Sequence, residues 1–207
     1  MSGYVEDFDA KAKTWDEPDK VERATRVAEA IARRVPSLAN ARVLEYGSGT
    51  GLLGFALQPR AAFVTLADAS AGMIATARQK VLASGAANVA AIQLDLTRDE
   101  LPRESFDVVC TLMTLHHVGD VDGLLERFFD LTTPGGRLCV CDLDREDGSF
   151  HGTGFKGHLG FDRGELSARL ARAGFPGASF DTPYEIAKAT PQGPRRYPLF
   201  LAVARKG

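Results

Sequence analysis

A chain of 207 residues with 27 acidic and 25 basic side chains has a formal net charge of −2, with 25% charged and 44% apolar residues. That is ordinary composition for one full-sized folded domain, and it excludes a disordered chain and a sequence-independent nucleic-acid grip built on excess Lys and Arg. Three cysteines without a C-x-x-C pair, Cys110, Cys139 and Cys141, exclude a disulfide framework and fit a reducing cytoplasm, and no apolar run approaches the ~18 residues that span a bilayer.

The first residues, Met1 to Lys13, are polar and lack the apolar core of a signal peptide. They carry Tyr4 and Phe8, and Trp15 follows; these aromatics need a surface, either as a lid or as plain docking on the core. From Asp19 to Val35 the apolar positions Val21, Ala24, Ala28, Ile31 and Val35 recur at spacings of 3 and 4, which predicts one buried helical face. Asp19 and Glu22 stand in capping-box positions at its start.

Beyond Pro36 short apolar runs alternate with helical stretches. Arg42–Tyr46, Phe63–Ala67, Val89–Leu94, Phe106–Leu112 and Arg137–Leu143 read as strands, and Gly49–Leu57, Ser70–Ser84 and Gly119–Thr132 as helices. Gly85 stands where a left-handed helix terminus is wanted, and Pro134-Gly135-Gly136 reads as a turn. The strands are continuously apolar rather than alternating, as in a parallel sheet covered on both faces, so the expected class is α/β and doubly wound. Asp162 and Glu165 form a second capping-box pattern, opening a helix with Leu166, Leu170 and Ala173 inward and Gly174 at its end. Two strand-like runs close the chain, near Ala178–Lys188 and Tyr197–Ala204; joined at Pro191-Gln192-Gly193-Pro194 without a helix, they should pair antiparallel. A single domain over 1–207 is expected, with a leader and helix at 1–36, a core at 37–143 and a closing part at 144–207.

The run Val43-Leu44-Glu45-Tyr46-Gly47-Ser48-Gly49-Thr50-Gly51 passes from a strand through alternate glycines into a helix, so a ligand can lie against bare main chain at a helix N-terminus. Two registers fit. From Gly49, the residues through Gly54 satisfy the G-x-G-x-x-G dinucleotide fingerprint, with Asp68 as ribose acceptor, which implies an NAD(P)-dependent oxidoreductase and leaves Glu45 unexplained. From Glu45 the run is E-x-G-x-G-x-G, and it resembles motif I of the class I S-adenosylmethionine-dependent methyltransferases. The resemblance covers most of the chain: Asp68 after the second strand, Asp95-Leu96 after the third, Phe106–Val109 and Leu115–Val118 around the fourth, and Pro134–Leu138 into the fifth. It points to the small-molecule branch of that family.

The resemblance implies S-adenosylmethionine as cofactor and S-adenosylhomocysteine as product, held at Glu45, Gly47, Ser48 and Gly49. Asp68 would hold the ribose hydroxyls, Ala69 would lie beside the adenine with Met73 nearby, Asp95 and Leu96 would read the adenine, and Thr111 would lie near the methionine part. It further implies strand order 3-2-1-4-5 with a closing antiparallel pair, that is, a Rossmann-like seven-stranded sheet, parallel except for one antiparallel C-terminal strand. Carboxylates suit these roles because they only accept hydrogen bonds, and Glu45 suits a ligand bearing an ammonium and a sulfonium.

Methyl transfer from a sulfonium depends on alignment and exclusion of water, so no catalytic triad is expected; a base helps when the acceptor must lose a proton, as a phenol or enol does. His116 and His117, at the carboxyl edge of the fourth strand, read as packing or hydrogen-bonding residues. His151 and His158 lie in Asp147–Phe161, whose glycines suit a substrate lid. No metal-ligand spacing is present, so no metal is expected. Thr111–His117 contains no N-P-P-Y-like run, which speaks against the amino-methylating DNA branch, and it lacks the aspartate of metal-dependent catechol-type enzymes. The cysteines, with Cys139 and Cys141 on one strand face, should pack in the core. The expected protein is a cytoplasmic methyltransferase, monomer or homodimer, acting on a small organic acceptor, with no nucleic-acid or membrane partner. Its rivals are a non-catalytic S-adenosylmethionine-binding module and the oxidoreductase.

Overall fold

The structure is a computed structural model describing residues 8–36, 38–190 and 193–207. Tyr4 and the Pro191-Gln192 corner lie outside the described residues. Seven strands form one sheet: β1 (Arg42–Tyr46), β2 (Phe63–Asp68), β3 (Val89–Gln93), β4 (Phe106–Leu112), β5 (Thr132–Leu143), β6 (Ser179–Thr190) and β7 (Gly193–Arg205), in the order β3-β2-β1-β4-β5-β7-β6. The first five run parallel, and β7 is antiparallel to both β5 and β6. This is the expected doubly wound sheet with its single reversed strand.

The helices that cover it are α1 (Pro18–Arg34), α2 (Leu52–Leu57), α3 (Ala71–Ser84), α4 (Val121–Leu131) and α5 (Arg163–Arg172). Successive strand residues point to opposite faces. Val43, Leu66 and Cys110 join Val27 and Ile31 of α1 in one core, while Leu44, Ala67 and Val109 join Leu125 and Phe128 of α4 in the other. The central strands β1, β2 and β4 are buried on both sides, which is why their sequences are apolar without alternation, whereas the edge strand β6 buries only Ile186. Cys110, Cys139 and Cys141 share the α1 side, and burial raises all three thiols, Cys139 to about 12.

Local chemistry moves several boundaries. Helix α1 starts at Pro18, and the Glu17 carbonyl accepts from the amides of Lys20 and Val21, both at 3.0 Å. Asp19 therefore lies inside the first turn and does not cap it: Pro18 presets the helical φ and opens the helix one residue early. Val21 is 42% exposed, and the buried face runs instead through Ala24, Val27, Ala28 and Ile31. Asp162 does cap α5, accepting from the amides of Gly164 and Glu165 at 2.9 and 3.0 Å, whereas Glu165 turns away to pair with Arg145. Strand β5 begins at Thr132, so Pro134-Gly135-Gly136 falls within its first half. Gly85 ends α3 at φ +63°. The order reverses between β1 and β4, and the cleft outside their carboxyl ends is where open α/β sheets bind ligands.

Candidate active site

The glycine turn is built by β1 running out beside β4. Gly47 and Gly49 then take φ of +68° and +55°. A Cβ on Gly47 would lie 2.2 Å from the Thr114 side chain, whose Oγ1 donates to the Gly47 carbonyl at 3.2 Å. The Ser48 amide donates to Ala67 at 3.0 Å and ties the turn to the end of β2. Gly47 and Gly49 line the cleft, whereas the Gly54 amide is spent on Glu45 and Gly51 caps α2. The glycines facing the cleft are thus those of the register that starts at Glu45.

The cleft comprises three cavities that meet at Met113. The first, about 120 Å³, contains Asp68, Ala69, Met73 and Asp95. Asp68 Oδ2 accepts from the Gly49 amide at 2.7 Å and Oδ1 from the Ser70 amide at 2.8 Å. A carboxylate has about four lone-pair sites, so each oxygen keeps acceptor capacity for a ligand hydroxyl. Burial raises the pKa of Asp68, with the amides of Ser70 and Gly49 opposing it. Asp95 Oδ1 accepts from the Thr97 amide and hydroxyl at 2.9 and 2.6 Å. Two expected positions are not on the lining. Leu96 is buried beneath it, its amide donating to the Tyr46 hydroxyl at 3.2 Å, and Thr111 is buried within β4; Met113 and Thr114 border the cavity instead.

The second cavity, about 50 Å³, lies between the turn and α1 and is lined by Glu45, Ser48, Lys20 and Arg23 among others. Glu45 is 2% exposed, and its Oε2 accepts from the Gly54 amide at 2.8 Å. Burial pushes its pKa up to about 8, with the Gly54 amide pulling the other way. Glu45 therefore holds its proton at neutral pH until a cation arrives, unlike the standing anion expected from sequence. Because the folded pKa exceeds the ordinary 4.5, this group contributes stability that is complete below about pH 4.5 and is lost as pH rises through 8. Glu45→Gln should remove that slope, so chemical denaturation at pH 5 and pH 8 should show a smaller loss in the variant than in the wild type. Equal losses would mean Glu45 is ionised in the fold.

Arg23 Nε and Ser48 Oγ are buried without a hydrogen-bond partner among the described residues. A buried guanidinium nitrogen left without a partner at the end of a cleft is a site for a carboxylate. Nothing in the sequence separates Arg23 from Arg26, Arg33 and Arg34 of the same helix; only the burial of an unpartnered nitrogen does.

The third cavity, about 460 Å³, is enclosed by Lys11, Trp15, His116, His151 and Phe155, with Lys20, Arg23 and Met113 shared with the second. Met113 has φ +55°, a costly conformation for a non-glycine residue, held by its amide donating to Cys141 at 2.8 Å. The leader closes one side. Asp9 accepts from the Gly72 amide at 2.9 Å and from the Ser70 hydroxyl, Asp16 pairs with Lys80 at 2.9 Å, and the Phe8 ring meets Trp15 at 5.6 Å and His117 at 5.3 Å. The 147–161 loop closes the other, with His151 stacked on Phe155 at 3.8 Å. Burial, then His116, lowers His117 to about 3 and His151 to about 4, so both rings are neutral at physiological pH. His158 faces away and donates from Nε2 to the Val118 carbonyl at 3.0 Å. Among the described residues no group of three or more His, Cys, Asp or Glu is arranged to hold a metal ion, and no helix is long and apolar enough to cross a membrane.

Residues 43–136 match the sequence family described as "Methyltransferase domain". The chain is 37% identical over 123 residues to a ubiquinone biosynthesis O-methyltransferase of Xylella fastidiosa, covering 58% of this chain and 48% of that protein. It is 33% identical over 118 residues to a demethylmenaquinone methyltransferase of a Mycobacterium species, covering 57% and 48%. It thus spans about half the length of the curated relatives it matches. Its fold is that of a SAM-dependent methyltransferase from Aquifex aeolicus, with a TM-score of 0.69 over 96% of this chain and 98% of that one, at 18% identity.

Proposed function

We propose, from the premise that this chain belongs through residues 43–136 to the class I S-adenosylmethionine-dependent methyltransferases, that it transfers a methyl group from that cofactor to a small-molecule acceptor. The observation that carries the reading is the meeting of three cavities at Met113: one end has Asp68 and Asp95, another has Arg23, and the widest branch opens to the leader and the 147–161 loop. A bisubstrate site needs this shape, because the reacting atoms of two molecules must share one point away from water.

In this reading Asp68 accepts from the ribose hydroxyls and Asp95 from the adenine amino group. Ala69 and Met73 line the adenine pocket, and Gly47, Ser48 and Gly49 supply bare main chain. Arg23 binds the methionine carboxylate, and Glu45 ionises beside the ammonium. The unpartnered guanidinium nitrogen and the spare acceptor capacity of Asp68 both fit this ligand. When bound, the cofactor supplies a sulfonium methyl group open to in-line displacement. The chain aligns the acceptor and excludes water, with Phe8 and Trp15 of the leader on one side and His151 and Phe155 on the other. The core expected at 37–143 holds the cofactor together with Arg23 of α1, and the described parts of the leader and of 144–207 face the acceptor. The three buried thiols suit a reducing cytoplasm, and a monomer or a homodimer can carry the site. The names of the curated relatives support a small organic acceptor, as does the size of the third cavity of the cleft.

Calorimetric titration tests the reading. S-adenosylmethionine and S-adenosylhomocysteine should bind in the micromolar range and NADH should not; binding of NADH alone would restore the oxidoreductase. Arg23→Gln should weaken S-adenosylhomocysteine about tenfold or more, the value of a hydrogen bond to a charged group, while leaving adenosine, which lacks the carboxylate, unaffected. Equal losses for both ligands would remove Arg23 from the carboxylate.

A further inference from the structure

Asp142 is a fully buried carboxylate on β5, in the interior of the sheet. Its Oδ1 lies 2.6 Å from His116 Nδ1 and accepts from the Leu143 amide at 2.7 Å, and its Oδ2 accepts from the His116 amide at 3.2 Å. Burial alone would raise its pKa, but the contacts with His116 and the amide of Leu143 outweigh that and hold Asp142 below the usual carboxylate range. A buried charge is a poor source of stability, since apolar groups of the same shape commonly do as well. What this pair does supply is orientation. Carboxylate oxygens only accept, so in the neutral form of the His116 ring the proton sits on Nδ1 and Nε2 presents a lone pair.

Nε2 of His116 has no hydrogen-bond partner among the described residues, and the ring borders the third cavity of the cleft. The titratable groups facing it are Asp142 on β5, His117 on its own turn at 4.1 Å between ring centroids and His151 at 5.0 Å, with Lys188 of β6 acting on His151 and Arg23 of α1 on the same cavity. The cover is the stacked His151 and Phe155, carried by a loop pinned on either side. His158 donates its amide to the His116 carbonyl at 2.8 Å, and Tyr197 bonds Ser149 at 2.7 Å. A Cβ on Gly157 would meet that same carbonyl at 2.3 Å, so only glycine lets the loop pass this close. The segment between the pins sets His151 and Phe155 against the His116 ring, at 5.0 and 6.1 Å between ring centroids.

We propose that His116, positioned by Asp142, is the general base for a hydroxyl acceptor, and that the acceptor is a phenol or an enol. This deepens the methyltransferase reading and rests on it. Among the described residues the cavity is lined by Lys11, Lys20 and Arg23 and by no acidic side chain, a lining that repels ammonium acceptors and favours an oxygen that becomes anionic. A carboxylate acceptor needs no base, and an aliphatic alcohol lies too far above imidazole in pKa, whereas a phenol, near ~10, lies within reach. Phe8, Trp15 and Phe155 supply flat apolar walls for such a ring. The acceptor oxygen gives its proton to Nε2 and its electron pair to the methyl carbon. The pair of the broken carbon–sulfur bond stays on sulfur, and the imidazolium, paired with Asp142, later returns its proton to water.

The test uses 4-nitrophenol, titrated into the protein loaded with S-adenosylhomocysteine at a pH below the probe's own ionisation. The visible phenolate band should grow on binding to the wild type, and nitrogen NMR of the histidines should show a bare Nε2 on His116 that gains a proton. His116→Gln and Asp142→Asn should bind S-adenosylhomocysteine as before and lose the phenolate band, and methylation of the probe should fall roughly 100-fold. Asp142→Asn should also change the His116 tautomer signal, which a packing role would leave in place. A bound probe that stays neutral, a His116 protonated on Nε2 before the probe arrives, or no probe binding despite tight S-adenosylhomocysteine binding would each overturn the proposal. Failure of S-adenosylhomocysteine to bind overturns the methyltransferase reading, and the base with it. The NMR measurement is made on the wild type, so it stands if either variant fails to fold.

Discussion

Asp68→Ala should raise the dissociation constants of S-adenosylmethionine and S-adenosylhomocysteine roughly 100-fold or more. Hydrogen bonds to an ionised group contribute about 1.5–3 kcal/mol each, and two ribose hydroxyls would lose their acceptor together. The same carboxylate also orients the turn, since it accepts from the amides of Gly49 and Ser70, so the variant loses pre-organisation as well as contacts. Asp68→Asn separates the two effects. Its amide oxygen can still accept one of those amides, but its NH₂ repels a donor, so the turn should survive better than the affinity. Calorimetry with adenosine and with 2′,3′-dideoxyadenosine checks the assignment directly: Asp68→Ala should abolish the wild type's preference for the hydroxylated nucleoside. A preference retained in the variant would place the ribose elsewhere.

Gly47→Ala should be the most damaging single methyl group in the molecule for its size. At φ +68° an L-residue costs roughly 1–2 kcal/mol, and the new Cβ would lie 2.2 Å from Thr114 Cγ2 and 2.3 Å from its Oγ1. The expected destabilisation is about 2–4 kcal/mol, a fall in Tm of about 5–15 °C for a chain of this length. Cofactor binding should be lost with it, because Gly47 borders the first two cavities. Thr114→Gly in the same chain removes the clash but not the φ cost, so the double variant should recover part of the stability and the pair should be strongly non-additive. Purely additive effects would mean that the turn and the residue after β4 do not touch.

Most of the frame was legible in the linear pattern. Continuous apolar runs imply strands buried on both faces, and the residues that separate into the two cores, such as Val43 and Leu44, differ only by the alternation inherent in a strand. The glycine register was also legible through Glu45, although its role is different: buried against the Gly54 amide, it is a carboxyl that holds its proton. The ends of elements were less so. Pro18 displaced Asp19 from the cap of α1 because a fixed φ outranks a side-chain hydrogen bond that starts one residue later, and Val21 had the right spacing but stands exposed in that opening turn.

What determined this protein from sequence alone were local rules: side-chain period, turn chemistry, and the placing of Asp68 at a strand end, each acting over a few residues. Only the tertiary structure decided which charges lack partners and which distant groups meet. Arg23 is one of several arginines until the fold buries its Nε at a cleft without a partner, and His116 is one of four histidines until β5 sets Asp142 against it from 26 residues away. The reason is physical: burial and the presence or absence of a partner, which set the protonation and the hydrogen-bonding demand of these groups, are properties of the packed interior and have no counterpart in the order of residues along the chain.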